Sequence, residues 1–189
     1  IELNRAADIN LLCDPEVFLD KLIVLKKSSK WKLNNEWFDK NKKEKKNWIN
    51  KTLEDLNKET EETKKNGGKI HPLQLALDVQ EVLNENDWLV IDGGNTHFWS
   101  EIAINIAGSK GKKLGGILHP GTFSMLGVGV PFAVSAKNLN PKSNVVLISG
   151  DGAFLSGGLS IEAAFQEKKP IVVVIDNNGG LDCISQQQE

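Results

Sequence analysis

Val145-Val146-Leu147-Ile148-Ser149-Gly150-Asp151-Gly152-Ala153 passes from a continuously apolar run straight into a carboxylate flanked by glycines. Ile171-Val172-Val173-Val174-Ile175-Asp176-Asn177-Asn178-Gly179-Gly180 repeats the pattern, and Trp88-Leu89-Val90-Ile91-Asp92-Gly93-Gly94-Asn95-Thr96 carries it a third time. Short β-branched runs without polar alternation read as strands buried on both faces, as in a parallel sheet. Helical periodicity separates them: a helix beginning at Pro72 with Leu75, Val79, Val82 and Leu83, one through Trp99, Ile102 and Ile106, one from Met125 to Asn138, and one near Gly158 to Glu167. The expected fold is therefore α/β, a doubly wound parallel sheet with helices on both faces. In such sheets ligands sit at the carboxyl ends of the strands, so chemistry is expected in the polar loops after Ile91, Ser149 and Ile175.

Working outward, residues 70–189 form the expected sheet domain. Residues 27–69 read as a charged helical linker: Trp31, Trp37, Phe38 and Trp48 look like anchors, Ile49, Leu53 and Leu56 fall at helical spacing, and Gly67-Gly68 ends the run. The tryptophans Trp31, Trp37 and Trp48 are expected to pack the linker onto the sheet domain. Residues 1–26 read as a strand, Asp8 to Leu12, followed by a helix opened by Pro15 and carrying Val17, Leu22 and Leu25. One strand and one helix bury too little surface to offset their ordering entropy, so this stretch is expected to finish an earlier domain. The chain as a whole is expected to be a fragment, with its sheet domain truncated at the C-terminus.

Composition removes several classes. Of the 189 residues 40% are apolar and 25% charged, ordinary globular usage that excludes disordered, collagen-like and disulfide-scaffold proteins. The longest apolar run, Ile171 to Ile175, is far short of the roughly 18 residues of a membrane span. No basic segment followed by an apolar one opens the chain, as a secretory leader would. Cys13 and Cys183 stand far apart with no CxxC spacing, which points to a reducing compartment, the cytoplasm, and away from zinc knuckles. Between Lys27 and Lys69 there are 13 Lys against 8 Asp and Glu, but the acids are interspersed, so the segment reads as a solvated helix face and no nucleic-acid partner is expected.

The strand-end loops suggest their own ligand. Glycines let backbone amides approach an anion, which suits a phosphate. A carboxylate beside a phosphate repels it unless a cation stands between them, and the Asp151 carboxylate with the Asn178 amide oxygen offers hard ligands for Mg²⁺. Gly150-Asp151-Gly152, then 24 residues, then Asn177-Asn178 resembles the cofactor motif of thiamine diphosphate-dependent enzymes, in the strand-loop context that motif requires. Gly121-Thr122-Phe123-Ser124-Met125-Leu126-Gly127-Val128-Gly129-Val130-Pro131 independently resembles the ring-holding segment of acetolactate synthases and 2-hydroxyacyl-CoA lyases. Ile1 to Arg5 and Asp8 to Leu22 are similar to the end of the middle domain of those enzymes.

The resemblance implies a thiamine diphosphate-binding fold and a site spread over all three loops. Asp151 and Asn178 side chains and the Gly180 carbonyl would hold Mg²⁺. Gly150, Gly152 and Ala153 would face the diphosphate, with Asn95 and Thr96 in a second diphosphate loop. Ser124 would accept from the cofactor's amino group, and Leu126 or its neighbour Met125 would be the apolar wedge that bends the cofactor and brings its amino group beside the reactive carbon. Nine residues past Asp151, where the family usually has Glu, stands Ser160, with Glu162 two residues on. No catalytic residue is expected in this chain, because the family's activating glutamate belongs to an N-terminal domain. The implied activity is a carboligase or decarboxylase acting on small 2-keto acids, acetolactate synthase-like. The alternative is a 2-hydroxyacyl-CoA or oxalyl-CoA type lyase with an acyl-CoA substrate. A homodimer or homotetramer is expected for the full-length protein, and the fragment alone is expected to be inactive. A noncatalytic relative does not need oxygen ligands at this spacing, and a Rossmann nucleotide site needs a GxGxxG that the chain lacks.

Other reactive side chains have plainer readings. His71, His97 and His119 suit helix starts or the surface, with His119 the best placed of the three to face a substrate. Cys183 has no basic partner nearby in sequence, and Gln186 to Gln188 read as a polar tail.

Overall fold

The computed structural model describes residues 8–29, 34–65 and 67–188. The chain divides into two compact units, Ile1–Asn47 and Trp48–Glu189. In the first, helix α1 (Pro15–Ser28) starts where Asp14 caps it, its Oδ1 accepting from the Glu16 N–H at 2.8 Å, with Pro15 at the first helical position. The strand expected over Asp8 to Leu12 does not form. Ile9, Leu11 and Leu12 are exposed, and no described strand pairs with them, so the apolar run has no ladder to join. The expected continuation through Ile1 to Arg5, and the anchor Trp31, lie outside the described residues.

Helix α2 (Asn35–Lys65) is capped by Asn34, whose Oδ1 accepts from the Trp37 N–H at 2.9 Å. At its end Gly67 takes φ +66°, while the Gly67 and Gly68 N–H groups donate to the Lys64 and Thr63 carbonyls. That is a Schellman stop, which needs a residue free to adopt the left-handed conformation. The expectation that the tryptophans anchor this helix is corrected: Trp37 and Trp48 are exposed, and Ile49 and Leu56 are the buried residues. Eleven residues apart, Trp37 and Trp48 share one stripe of the helix, turned by about 100° from the stripe that carries Ile49 and Leu56.

The second unit continues with α3 (Pro72–Val82), β1 (Trp88–Asp92), α4 (Asn95–Ser109), β2 (Gly116–Leu118), α5 (Gly129–Leu139), β3 (Val145–Gly150), α6 (Asp151–Gly157), α7 (Ile161–Gln166), β4 (Val172–Asp176) and α8 (Asp182–Gln188). The four strands are parallel in the order β2-β1-β3-β4. Alternation along the central strands serves two layers. Leu89, Ile91, Val146 and Ile148 pack with Leu56, Leu73, Val79 and Ala103, whereas Val90, Val145 and Leu147 pack with Val130, Ala133, Val134 and Ala164. These side chains are apolar on both faces of the sheet, which is why the strands read as continuous runs. No described helix is long and apolar enough to cross a membrane.

Three boundaries depart from the sequence reading. The helix expected from Met125 begins at Gly129, because Gly121–Phe123 makes a single 3₁₀ turn and Gly127, at φ +88°, turns the chain before α5. The helix expected near Gly158 to Glu167 forms as a 3₁₀ turn at Gly158–Ser160 followed by α7, and α6 stands before it as a helix the sequence reading did not expect. Strand β2 is additional: a methyl group at Gly116 would meet the Trp88 ring at 2.4 Å, so only glycine lets this short strand lie beside β1. The polar stretch at the end is helix α8.

Asp87 closes the amino ends of two strands. Its carboxylate accepts from the backbone and side-chain amides of Asn84 and of Asn144, at 2.8 to 3.3 Å. Burial pushes this carboxyl up, but the four hydrogen bonds outweigh it and hold it below the ordinary Asp value of 3.8. A depressed carboxylate contributes stability that is present above 3.8 and is lost as pH falls through its folded value. Asp87→Asn should therefore destabilise the fold by about 2 kcal/mol near neutral pH, roughly 4–8 °C in Tm. The gap from wild type should close in melts run at progressively lower pH, and a gap that stays constant with pH would refute the assignment.

Candidate functional site

Parallel pairing sets Asp92 beside Ser149 and Gly150 beside Asp176, so the loops after β1, β3 and β4 leave the sheet at one end. Together they line a cavity of about 220 Å³. Asn95, Thr96, Ser124, Leu126, Gly150, Asp151, Gly152, Ala153, Asn178 and Gly180 all line it. Met125 does not: it is 61% exposed, and its neighbour Leu126 takes the place in the wall.

Backbone geometry puts Leu126 there. Ser124 holds a left-handed conformation (φ 47°, ψ 34°) and its N–H donates to the Gly121 carbonyl, which turns the chain once; Gly127 turns it again. The second turn presses against the end of α6, where a methyl group at Gly157 would lie 1.9 Å from the Gly127 carbonyl oxygen. Asp92 fixes the same segment from the other side. Its carboxylate, 1% exposed, accepts from the Gly127 N–H at 3.0 Å and the Gly129 N–H at 2.7 Å. Burial pushes the Asp92 carboxyl above the ordinary range, against the pull of the Gly129, Gly127 and Gly93 amides and of His97.

The remaining wall is tied across the strand ends. The Thr96 hydroxyl donates to Asp176 Oδ2 at 3.0 Å, and the Asn95 side-chain amide donates to Asp182 Oδ2, joining the first turn of α4 to the segment after β4. Asp151 Oδ1 accepts from the Gly152 N–H at 2.8 Å and Oδ2 from the Gly179 N–H at 3.1 Å; Asn178 Oδ1 accepts from the Gly180 N–H at 3.3 Å. Each of these oxygens keeps a lone pair for a further ligand. The sequence reading missed Asp92, Asp176 and Asp182 as parts of this construction. Asp92 and Asp176 each end an apolar run, a signal that was available, but their partners are far away in sequence. Cys183 also lines the cavity, close against Gly94.

The charges in the wall decide what the cavity can hold. No Lys or Arg is among its described lining residues, while Asp151 and Asp182 are. A phosphate would be repelled there unless a divalent cation stood between, and Asp151 with Asn178 offers oxygen donors of the kind Mg²⁺ takes. Residues 92–189, just over half of the chain, match the family model described as the C-terminal thiamine pyrophosphate-binding domain of thiamine pyrophosphate enzymes. The chain belongs to this family. The parallel sheet, its helices on both faces and the glycine-rich loops at the strand ends are thus those of a thiamine pyrophosphate-binding domain. Among its relatives, human 2-hydroxyacyl-CoA lyase 2 is 33% identical over 119 residues, 63% of this chain and 18% of the lyase. The catabolic acetolactate synthase of Raoultella terrigena is 29% identical over 120 residues, 64% of this chain and 21% of that enzyme. The acetolactate synthase of Bacillus subtilis is 27% identical over 126 residues, 64% and 20%. The chain spans about a fifth of the length of these curated relatives.

Proposed function

We propose that this chain supplies the diphosphate- and Mg²⁺-binding half of a carboligase or decarboxylase acting on small 2-keto acids, similar to acetolactate synthase. The observation that carries the reading is the donor set: Asp151, Asn178 and Gly180 share one glycine-lined cavity whose described lining residues include carboxylates and no cationic side chain. Asp151, Asn178 and the Gly180 carbonyl would hold the metal. Gly150, Gly152 and Ala153 would meet the diphosphate, with Asn95 and Thr96 completing that wall. Thiamine diphosphate, when bound, supplies the nucleophilic carbon and the electron sink for breaking a bond beside a carbonyl. Leu126 would support the rings and exclude water beneath them, and the Ser124 carbonyl would accept from the ring amino group.

About 220 Å³ is below the 300 Å³ or so at which drug-sized pockets begin, which supports a half-site that holds the phosphates. We place the activating glutamate on another domain and read residues 1–26 as the end of a middle domain. The isolated chain should then bind cofactor without turning over. The full-length protein would work as a homodimer or homotetramer in the cytoplasm. A second reading, a 2-hydroxyacyl-CoA type lyase, draws support from the Gly121-Thr122-Phe123 start of the ring segment and from the human lyase, at 33% identity. CO₂ release from pyruvate by the full-length protein, set against cleavage of a 2-hydroxyacyl-CoA, separates the two.

If the metal joins Asp151 to the diphosphate, metal and cofactor bind together or hardly at all. Calorimetric titration of thiamine diphosphate into the full-length protein should give affinity that collapses by at least tenfold on adding EDTA and returns with Mg²⁺. Equal affinities in both buffers would sink the bridge.

A further inference from the structure

We propose that His97, Glu101 and His119 bind a borderline divalent metal ion such as Zn²⁺, at a place that none of the cofactor-binding residues above shares. The inference does not rest on the cofactor reading. Among the described residues, these three bring one imidazole or carboxylate ligand atom each to within 4.8 Å of one another. Two come from one helix: His97 and Glu101 are four apart on α4, so they lie one above the other on the same face, and Nε2 of His97 is 3.3 Å from Glu101 Oε1. The third reaches them from the segment after β2, where the His119 ring stands tilted over the His97 ring with centroids 4.9 Å apart.

The chemistry favours a metal over a structural hydrogen-bond cluster. Two imidazoles in contact gain nothing by both being charged, and one carboxylate satisfies only one of them. A metal ion at the centre would be shared by all three. Two nitrogens and one oxygen form the type of ligand set that holds Zn²⁺ with one coordination position open, and a set poor in oxygen does not suit Mg²⁺. The positions are also accessible. His119 is exposed, and the side chains of His97 and Glu101 retain 18% and 46% of their accessibility. The site is coupled to the ring segment, because His119 Nδ1 accepts from the Gly121 N–H at 3.2 Å. A metal taken by that nitrogen would replace the amide at the start of the 3₁₀ turn that ends at Ser124.

The test uses the untagged full-length protein in buffer with excess Mg²⁺, which occupies oxygen-only sites. Equilibrium dialysis or calorimetry with Zn²⁺ should find one ion per chain, bound at least tenfold more weakly in His119→Ala and in Glu101→Gln. Circular-dichroism melts confirm that these partly exposed substitutions leave the fold intact. Co²⁺ substituted for Zn²⁺ should give the intense visible bands of four-coordinate nitrogen and oxygen ligation. Absence of Zn²⁺ binding would overturn the proposal, as would equal affinity in wild type and both variants. A thiolate-to-cobalt charge-transfer band would overturn it too, by assigning the ion to a cysteine.

Discussion

Gly157→Ala should destabilise the fold by about 3 kcal/mol or more, roughly 6–12 °C in Tm for a chain of this length. The glycine's own conformation is not the reason, since φ −133° is open to any residue. The cost is steric. The added methyl would sit 1.9 Å from the carbonyl oxygen and 2.7 Å from the carbonyl carbon of Gly127, and both are backbone atoms that no side-chain rotation can move aside. The turn at Gly127 must therefore shift off α6. Asp92 grips the same turn through the Gly127 and Gly129 amides, so the shift also strains a buried carboxylate. Leu126 would leave the cavity wall with it, and cofactor affinity should fall alongside stability. Gly111→Ala gives the control: φ there is +85°, and nothing stands within 4 Å of the added methyl. It should cost only the left-handed strain, about 1 kcal/mol, and leave cofactor binding alone. Thermal melts of the two variants should thus separate widely. Equal shifts would mean that the contact between α6 and Gly127 carries no weight.

The contrast between these glycines shows which parts of the molecule the chain advertises. Strands β1 and β3 were legible because burial on both faces demands apolar residues at almost every position, and Trp88 to Ile91 and Val145 to Ile148 supply them without interruption. The edge strand β4 reads as an equally continuous run although Val172 and Ile175 are exposed. Strand β2 has three residues, one of them a glycine dictated by the Trp88 ring, and a run that short carries no period. The apolar content of Met125 to Val128 fits a helix, yet the left-handed turns at Ser124 and Gly127 break it, and the turn at Gly127 is held by a contact distant in sequence. The site divides in the same way. Residues proposed to meet a ligand, such as Asp151 and Asn178, stand in a glycine-rich motif at fixed spacing. The hydrogen bonds that tie the walls of the cavity together leave no such local signal: Asp92 finds its partners 35 and 37 positions on, Thr96 meets Asp176 at a separation of 80, and Asn95 meets Asp182 at 87. Only the packed sheet brings those pairs within hydrogen-bond range. Between Met125 and Leu126 the alignment of motifs left a choice, and the double turn places Leu126 in the wall.

Asp151→Ala should weaken metal-dependent cofactor binding by about a hundredfold or more, close to 2.8 kcal/mol. The carboxylate is the charged member of the proposed donor set, and a bound diphosphate would face the Asp182 carboxylate in the same wall with no cationic side chain among the described lining residues to offset it. On that proposal, removing Asp151 takes away a metal ligand and, with the metal, the counter-charge. The same side chain also braces the loop that carries Asn178, through the Gly152 and Gly179 amides, so the alanine variant alone does not separate ligation from bracing. Asp151→Asn does. An asparagine oxygen can still accept one amide and keep the loop in place, but it brings no charge, so affinity should drop by at least tenfold, about 1.4 kcal/mol, while the melt stays near wild type. Mn²⁺ in place of Mg²⁺ gives a direct readout, because its paramagnetic resonance signal reports the free ion as cofactor is titrated. Both variants should leave most of the Mn²⁺ free at cofactor concentrations that capture it on the wild-type protein. If Asp151→Asn instead captures Mn²⁺ and cofactor as wild type does, Asp151 serves the loop alone, and the metal ligands must be sought among Asp176, Asp182 and their neighbours.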